Sequence, residues 1–266
     1  MAIYTCFDMV RDCRDNRPEG WTYLVTNYVP VIRRFLTQYY DGRSGLLERM
    51  LLQLKNPQSS LWAPPGHAEE RIFAAALRQE LLRLVELDSA SQQPSIPLDL
   101  ETLTQALEQF TVIDRQYIWL ESMGYSNEVT AEMMNLDVSS SESARTRADE
   151  ALRHVLDRWK RGLVAENGLT LGRLATAMHG ERCLPSKAYL DTLDGRITWQ
   201  RKKDYEFHMQ QCWFCVDHFC RIREADFALN KSKPLTDDEA APFLKHLGVP
   251  IPKKEKKGLL ARMFAR

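Results

Sequence analysis

The sequence predicts an all-α protein, and three observations support this fold class. Apolar residues recur at spacings of three and four along most of the chain, which is the period of an amphipathic helix. Alternation of apolar and polar residues, which is typical of half-buried strands, is sparse. The segment 110–156 also carries the capping residues that begin and end helices.

The chain divides into five predicted segments. Its 266 residues and 44% hydrophobic content suit two domains and a small additional module. We predict a helical domain at 1–88, a linker at 89–97, a second helical domain at 98–162, a small helical module containing Cys and His at 173–230, and an irregular segment with a basic tail at 231–266.

An apolar face predicts the main helix of the first domain. The residues that line this face are Leu24, Tyr28, Val31, Phe35 and Tyr39. Pro30 is expected to mark a helix start or a kink. Two further helices are predicted at 44–54 and 68–86, with a proline-rich loop between them, and the stretch 166–172 is expected to interrupt the helical pattern.

Residues 110–156 predict two helices joined by a tight turn, which is the helix-turn-helix arrangement. Gly124 follows a first helix, as a glycine often does at a helix C-terminus. Ser126 is a good N-cap for a short helix at 127–134. Asn135 tolerates the left-handed conformation that the turn before the next helix needs.

The last helix of this arrangement is the candidate DNA-reading element. We expect Ser139 and Glu142 to form a capping box that opens it. Arginines can contact phosphates or guanine edges, and hydroxyls can contact phosphates. The candidate DNA-binding residues are Ser139, Ser140, Glu142, Ser143, Arg145, Thr146 and Arg147. Residues 98–161 nevertheless hold twelve acidic and seven basic residues, which favours weak DNA binding by the chain alone.

This segment resembles region 4 of the extracytoplasmic-function (ECF) sigma factors of RNA polymerase. The family pattern G-[LY]-S-x-x-E-I-A-x-x-L-G-[IL]-S is matched without a gap at Gly124, Tyr125, Ser126, Ala131 and Leu136. Glu128 falls on the first of the family's two acidic positions, and Val129 and Thr130 replace the second acid and the isoleucine. Flanking matches are Arg115, Leu120, Arg147, Ala148 and Leu152. Residues 26–40 and 45–54 are similar to region 2 of the family. The resemblance implies a sigma factor that carries core RNA polymerase to promoter DNA.

Departures from the family pattern leave an alternative open. Gly45, Glu48 and Arg49 occupy positions where the family clasps core polymerase, and the W-L and A-x-N signature of region 2 is not found in FAAALRQELL. The alternative is an adaptor that keeps the sigma shape and binds an inhibitory or anti-sigma-type protein. The chain resembles diverged sigma-like proteins that an inhibitory partner holds, including ones encoded beside CRISPR-associated protease systems.

The stretch FHMQQCWFCVDHFC, residues 207–220, predicts a metal site. On a helix, His208, Cys212 and Cys215 would share one face. Tetrahedral zinc needs a fourth ligand. A helix at 186–193 and a return helix leading to His208 would bring Cys183 to the other three. The prediction is a structural zinc ion held by three cysteines and one histidine.

The same spacing resembles the zinc-binding anti-sigma domains, whose small helical module often binds a sigma factor. Further matches to that family are Tyr189, Leu190, Leu193, Asp194, Gly195 and Ile197. Other interpretations stay open: the cysteines can be buried hydrophobic residues, they can sense metal or redox state, and His179, His218 and Cys220 are competing ligands.

Bulk properties exclude several function classes. A formal net charge of +0 supplies no global field toward nucleic acid or anionic lipid. The N-terminus has no apolar signal segment and no 18-residue apolar run occurs, so we expect a cytoplasmic protein with no stable membrane insertion. No catalytic motif is found, so we expect no enzymatic activity. The basic tail, 253–266, suits either an anchor or a solvated segment.

Overall fold

A computed structural model of the chain describes residues 4–37, 45–56, 59–62, 69–88, 96–155 and 162–251. Every regular element within these ranges is helical, which confirms the predicted all-α fold class. None of the described helices is both long and apolar enough to cross a lipid bilayer. Tyr39, most of the predicted linker and the basic tail lie outside the described residues.

Fourteen α-helices and one short 3-10 helix, Ser60–Trp62, occur within these ranges. The α-helices are α1 (Cys6–Arg14), α2 (Pro18–Leu36), α3 (Leu46–Leu54), α4 (Glu70–Asp88), α5 (Leu100–Ala106), α6 (Val112–Ser122), α7 (Asn127–Met134), α8 (Val138–Val155), α9 (Leu163–Glu166), α10 (Gly168–Ala177), α11 (Ser186–Leu193), α12 (Trp199–Met209), α13 (Trp213–Lys231) and α14 (Asp237–His246).

The predicted main helix of the first domain is α2, but it begins earlier than Pro30. Pro18 stands in its first turn, where a missing N–H costs nothing, and the helix continues through Pro30. Trp21 is buried against Trp62, with ring centroids 5.6 Å apart at an interplanar angle of 75°. Tyr28 packs edge-on against Phe73 of α4. These contacts fix the first helices around one apolar core.

The helix-turn-helix elements follow the predicted boundaries, with one correction. Ser126 caps α7, and Asn135 adopts a left-handed conformation with φ of 54°. The next helix begins at Val138 and not with a capping box at Ser139. Asp137 precedes it and accepts hydrogen bonds from the backbone N–H of Ser140 and from the Ser139 hydroxyl, each at 2.8 Å. A carboxylate accepts these bonds more strongly than a hydroxyl can. The hydrogen bond from the Ser140 hydroxyl, together with those from the Ser140 N–H and the Ser139 hydroxyl, holds the pKa of Asp137 well below its usual range.

Two segments predicted to be irregular contain helices among their described residues. The stretch 166–172 contains only a one-residue junction, Asn167, between α9 and α10. Segment 231–266 contains α14, which Thr236 and Glu239 open with a reciprocal capping box. This helix packs against α2, where the guanidinium of Arg33 lies 5.3 Å from the ring centroid of Phe243.

Helix α13 lies at the centre of the molecule and contacts α2, α4, α6, α7, α10, α11 and α12. Its inward residues are apolar, including Val216, Phe219 and Ile222. The predicted Cys/His module therefore shares a continuous core with both preceding helical segments. The start of α13, which carries Cys212 and Cys215, is therefore held in place by contacts with helices of both segments.

Candidate metal centre

The predicted ligands lie on three parts of the chain, which are a turn before α11, the last turn of α12 and the start of α13. Cys183 lies in a turn between α10 and α11, and α11 has the predicted bounds of Ser186–Leu193. Gly195 reverses the chain in a left-handed conformation with φ of 66°. The return helix α12 carries His208 in its last turn. Cys212 is the N-cap of α13 and Cys215 lies in its first turn.

The spacing predicted that His208, Cys212 and Cys215 lie on one continuous helix, and this prediction is wrong. Helix α12 ends at Met209 and α13 begins at Trp213, so the chain bends between the histidine and the two cysteines. Because of this bend, the His208 ring turns toward Cys215, and its Nε2 lies 3.1 Å from the Cys215 Sγ.

The ligand atoms of Cys183, His208, Cys212 and Cys215 all lie within 4.8 Å of one another. The Sγ atoms of Cys183 and Cys212 are 3.8 Å apart, and both cysteines are free thiols. Zinc–sulfur bonds of about 2.3 Å in a tetrahedron place two sulfurs about 3.8 Å apart. The cluster can therefore hold a metal ion, and its donor set and spacing are compatible with zinc.

Burial controls the charge of these donors. It raises the pKa of the Cys215 thiol to about 12 and raises the pKa of Cys212 above its ordinary value. Burial also lowers the pKa of His208, which favours the neutral imidazole. Neutral imidazole is the form that binds metal, whereas buried thiols become thiolates only beside a cation. The site is thus chemically suited to a divalent cation.

Nearby groups orient the cluster. The backbone N–H of Gly180 donates to the Cys183 Sγ at 3.3 Å, which stabilises negative charge on that sulfur. The buried ring of Tyr189 stacks on Phe219 and meets His218 edge-on. These ring contacts pack α11 against α13, whose first turn carries Cys215.

The competing ligands have other roles in this structure. His218 Nε2 lies 3.0 Å from the Ser186 hydroxyl, and burial lowers its pKa to about 3. His179 packs edge-on against Phe214, with ring centroids 4.5 Å apart. Cys220 is fully buried and its Sγ lies 3.6 Å from the Gln116 carbonyl oxygen. None of these three residues belongs to the four-residue cluster.

The four residues would fill the tetrahedral shell of a bound zinc ion and would leave no position for a reacting water. Catalytic zinc sites keep such a position open, whereas structural sites do not. A metal held here would cross-link the turn at Cys183, the end of α12 and the start of α13. The chemistry that this geometry supports is structural stabilisation.

The candidate DNA-binding residues all lie on α8, where six are exposed and Arg145 is half-buried. Five of the seven side chains donate to partners on the protein: Ser139, Ser140, Arg145, Thr146 and Arg147. The Arg147 guanidinium donates to Asp114 at 2.6 Å, and the Arg145 guanidinium donates to Glu121 at 3.3 Å. The Ser139 and Ser140 hydroxyls both donate to Asp137. Any DNA contact would have to compete with these carboxylates.

The sequence did not indicate a buried polar network that links α13 to α4 and α6. Arg78 of α4 pairs with Glu224 of α13, and both side chains are buried. Trp119 of α6 donates its indole N–H to Asp217 at 3.0 Å and stacks on Trp213 at 5.2 Å. The seven-residue spacing of Asp217 and Glu224, which places them on one face of a helix, could have indicated this network. It was not recognised because acidic residues normally lie on a solvated face.

No protein-family model, curated protein or solved structure matches this chain.

Proposed function

We propose that this chain is a divergent ECF-type sigma factor with a C-terminal zinc-binding extension, and that it has no enzymatic activity. The proposal rests chiefly on helices α6, α7 and α8. The residues of the quoted family pattern lie where a helix-turn-helix needs them. Gly124 follows α6, Ser126 caps α7 and Leu136 lies in the turn before α8. The activity would be to carry core RNA polymerase to promoter DNA in the cytoplasm.

The extension would regulate that activity by holding the two sigma-like segments together. A sigma factor presents region 2 and region 4 to polymerase as separate binding surfaces. Here α13 contacts α4 of the first segment and α6 of the second. The buried Arg78–Glu224 pair and the Trp119–Trp213 stack supply these contacts. Weakening α13 would therefore release both surfaces.

We expect the tagged full-length chain to recover core RNA polymerase subunits from its native cells. A Cys215→Ser bait should recover at least about threefold more polymerase, because losing a ligand weakens the hold of the metal on α13. Quantitative mass spectrometry of the captured proteins is the measurement. Cys220→Ala is the matched control, since Cys220 is buried in α13 but outside the metal cluster. Absence of polymerase from every bait would contradict the sigma proposal.

The second candidate is an adaptor that binds an inhibitory or anti-sigma-type protein, as in a CRISPR-associated defence system, and reads little DNA. The pairing of Arg145 and Arg147 with carboxylates of α6 favours it. Recovery of a single unrelated protein without polymerase in the same capture experiment would support this reading.

Salt dependence of DNA binding separates the two candidates. For a sigma factor we expect the logarithm of affinity for duplex DNA to fall with the logarithm of salt concentration, with a slope of several ions. Replacing Arg145 and Arg147 together by alanine should reduce that slope by about two. Arg153→Ala is the control, because Arg153 is exposed on α8 but is not a candidate contact. A slope near zero in the wild-type chain would instead indicate the adaptor.

A further inference from the structure

A half-open cavity of about 420 Å³ lies where α4, α6, α10 and α13 meet. Small-molecule sites typically have volumes of about 300–1,000 Å³ and form preferentially between packed domains. This cavity has a volume in that range, and its walls come from helices that are far apart along the chain. It is separate from the metal cluster, none of whose four residues lines it.

Apolar groups form much of the cavity wall. They include Leu61, Leu82, Met123 and Leu169, together with the ring of Trp119. A ligand with an apolar body would bury its surface against these side chains. The wall thus suits an organic molecule better than a bare inorganic ion.

Two glycines of α10 line the cavity for different reasons. The backbone of Gly168 approaches the Ser122 carbonyl so closely that a Cβ atom there would lie 1.9 Å from the oxygen. One turn later, a Cβ atom at Gly172 would meet nothing within 4 Å. Glycine in a helix interior costs about 0.5–1 kcal/mol relative to alanine. Gly168 is required by the close approach of its backbone to Ser122. The glycine at position 172 instead leaves space that a side chain would occupy.

The wall carries more cationic than anionic groups. Its charged side chains are Arg78, Arg83, Arg173, Arg221, Glu80 and Asp217. Arg221 is buried and pairs with Asp217 through one terminal nitrogen. Its Nε has no hydrogen-bond partner among the described residues. This nitrogen is itself closed to solvent, so Arg221 contributes positive charge to the cavity wall and not an open hydrogen-bond donor.

We propose that this cavity binds a small organic anion with an apolar body. The charged group lies on the arginine-lined side of the cavity, and the apolar body lies against Trp119 and the neighbouring aliphatic side chains. The site depends only on the packing of α4, α6, α10 and α13, so it does not rest on the proposed sigma function.

The first test uses the fluorescent probe 8-anilinonaphthalene-1-sulfonate with the full-length chain. We expect saturable binding at one site per chain. The neutral analogue N-phenyl-1-naphthylamine, which has the same rings without the sulfonate, should bind at least about tenfold more weakly. Binding that does not saturate would overturn the site, and equal binding of the two probes would overturn the anion preference.

Variants that fill the cavity locate the binding. Gly172→Trp should abolish saturable probe binding while helical content and melting temperature are kept, because the new side chain enters empty space. Ala177→Trp is the matched control, since Ala177 is exposed on the same helix and does not line the cavity. Ala76→Phe fills the cavity from α4 and gives an independent test if Gly172→Trp fails to fold. Unchanged binding in a folded filled variant would overturn the proposal.

Discussion

Replacing Cys215 by serine is expected to remove bound zinc and to unfold the C-terminal segment before the rest of the chain. Zinc content should fall from about one ion per chain to near zero, because a hydroxyl is a poor replacement for a thiolate in this donor set. The lost stabilisation should be about 4 kcal/mol when free zinc exceeds the Kd of the wild-type site by about 1,000-fold. Elemental analysis and hydrogen exchange of the amides in 183–220 would measure the two effects.

Two controls make the zinc experiment specific. Cys220→Ala removes another buried thiol from α13 and should keep the metal. Chelation of the wild-type chain should reproduce the exchange pattern of Cys215→Ser, because both remove the same cross-link. The zinc hypothesis fails if the wild-type chain purified with zinc present contains almost none, or if Cys215→Ser binds as much as the wild type.

Glu224→Gln is expected to lower the free energy of unfolding by about 3–5 kcal/mol. Glu224 is fully buried, pairs with Arg78 and accepts a hydrogen bond from the Tyr125 hydroxyl. Glutamine keeps the shape and can still accept from Tyr125, but it leaves the Arg78 cation buried without its countercharge. Urea unfolding, followed by circular dichroism, gives the change in free energy.

The matched control for Glu224→Gln is Glu150→Gln on the exposed side of α8, which should change stability by less than about 0.5 kcal/mol. A double replacement, Arg78→Met with Glu224→Leu, should recover most of the loss because it removes both buried charges. If Glu224→Gln costs no more than Glu150→Gln, the pair does not fix α13 to α4.

Local signals predicted the helix-turn-helix segment well. Ser126 caps α7 with its own side chain, and Asn135 turns the chain with its own φ, so no distant partner is needed. The start of α8 was misplaced because Asp137 and Ser139 are both suitable caps only two residues apart. Helix α14 was missed although its capping box, Thr236 and Glu239, is equally local.

The four metal-cluster residues were also predictable, but their geometry was not. The spacing from Cys183 to Cys215 is short, and the helix at 186–193 sets how the chain returns. A single helix face was expected for His208, Cys212 and Cys215. The bend after Met209 arises from the junction of α12 with α13, which sequence periodicity does not reveal.

By itself, the sequence determined the all-α fold class, the bounds of α7 and the identity of the cluster residues, because each depends on neighbours along the chain. Only the tertiary structure decided that α13 lies between α4 and α6, that Glu224 is buried beside Arg78, and that a cavity forms at this junction. The physical reason is distance along the chain: the burial of a charged residue depends on a partner far away in sequence, and periodicity within one helix carries no information about that partner.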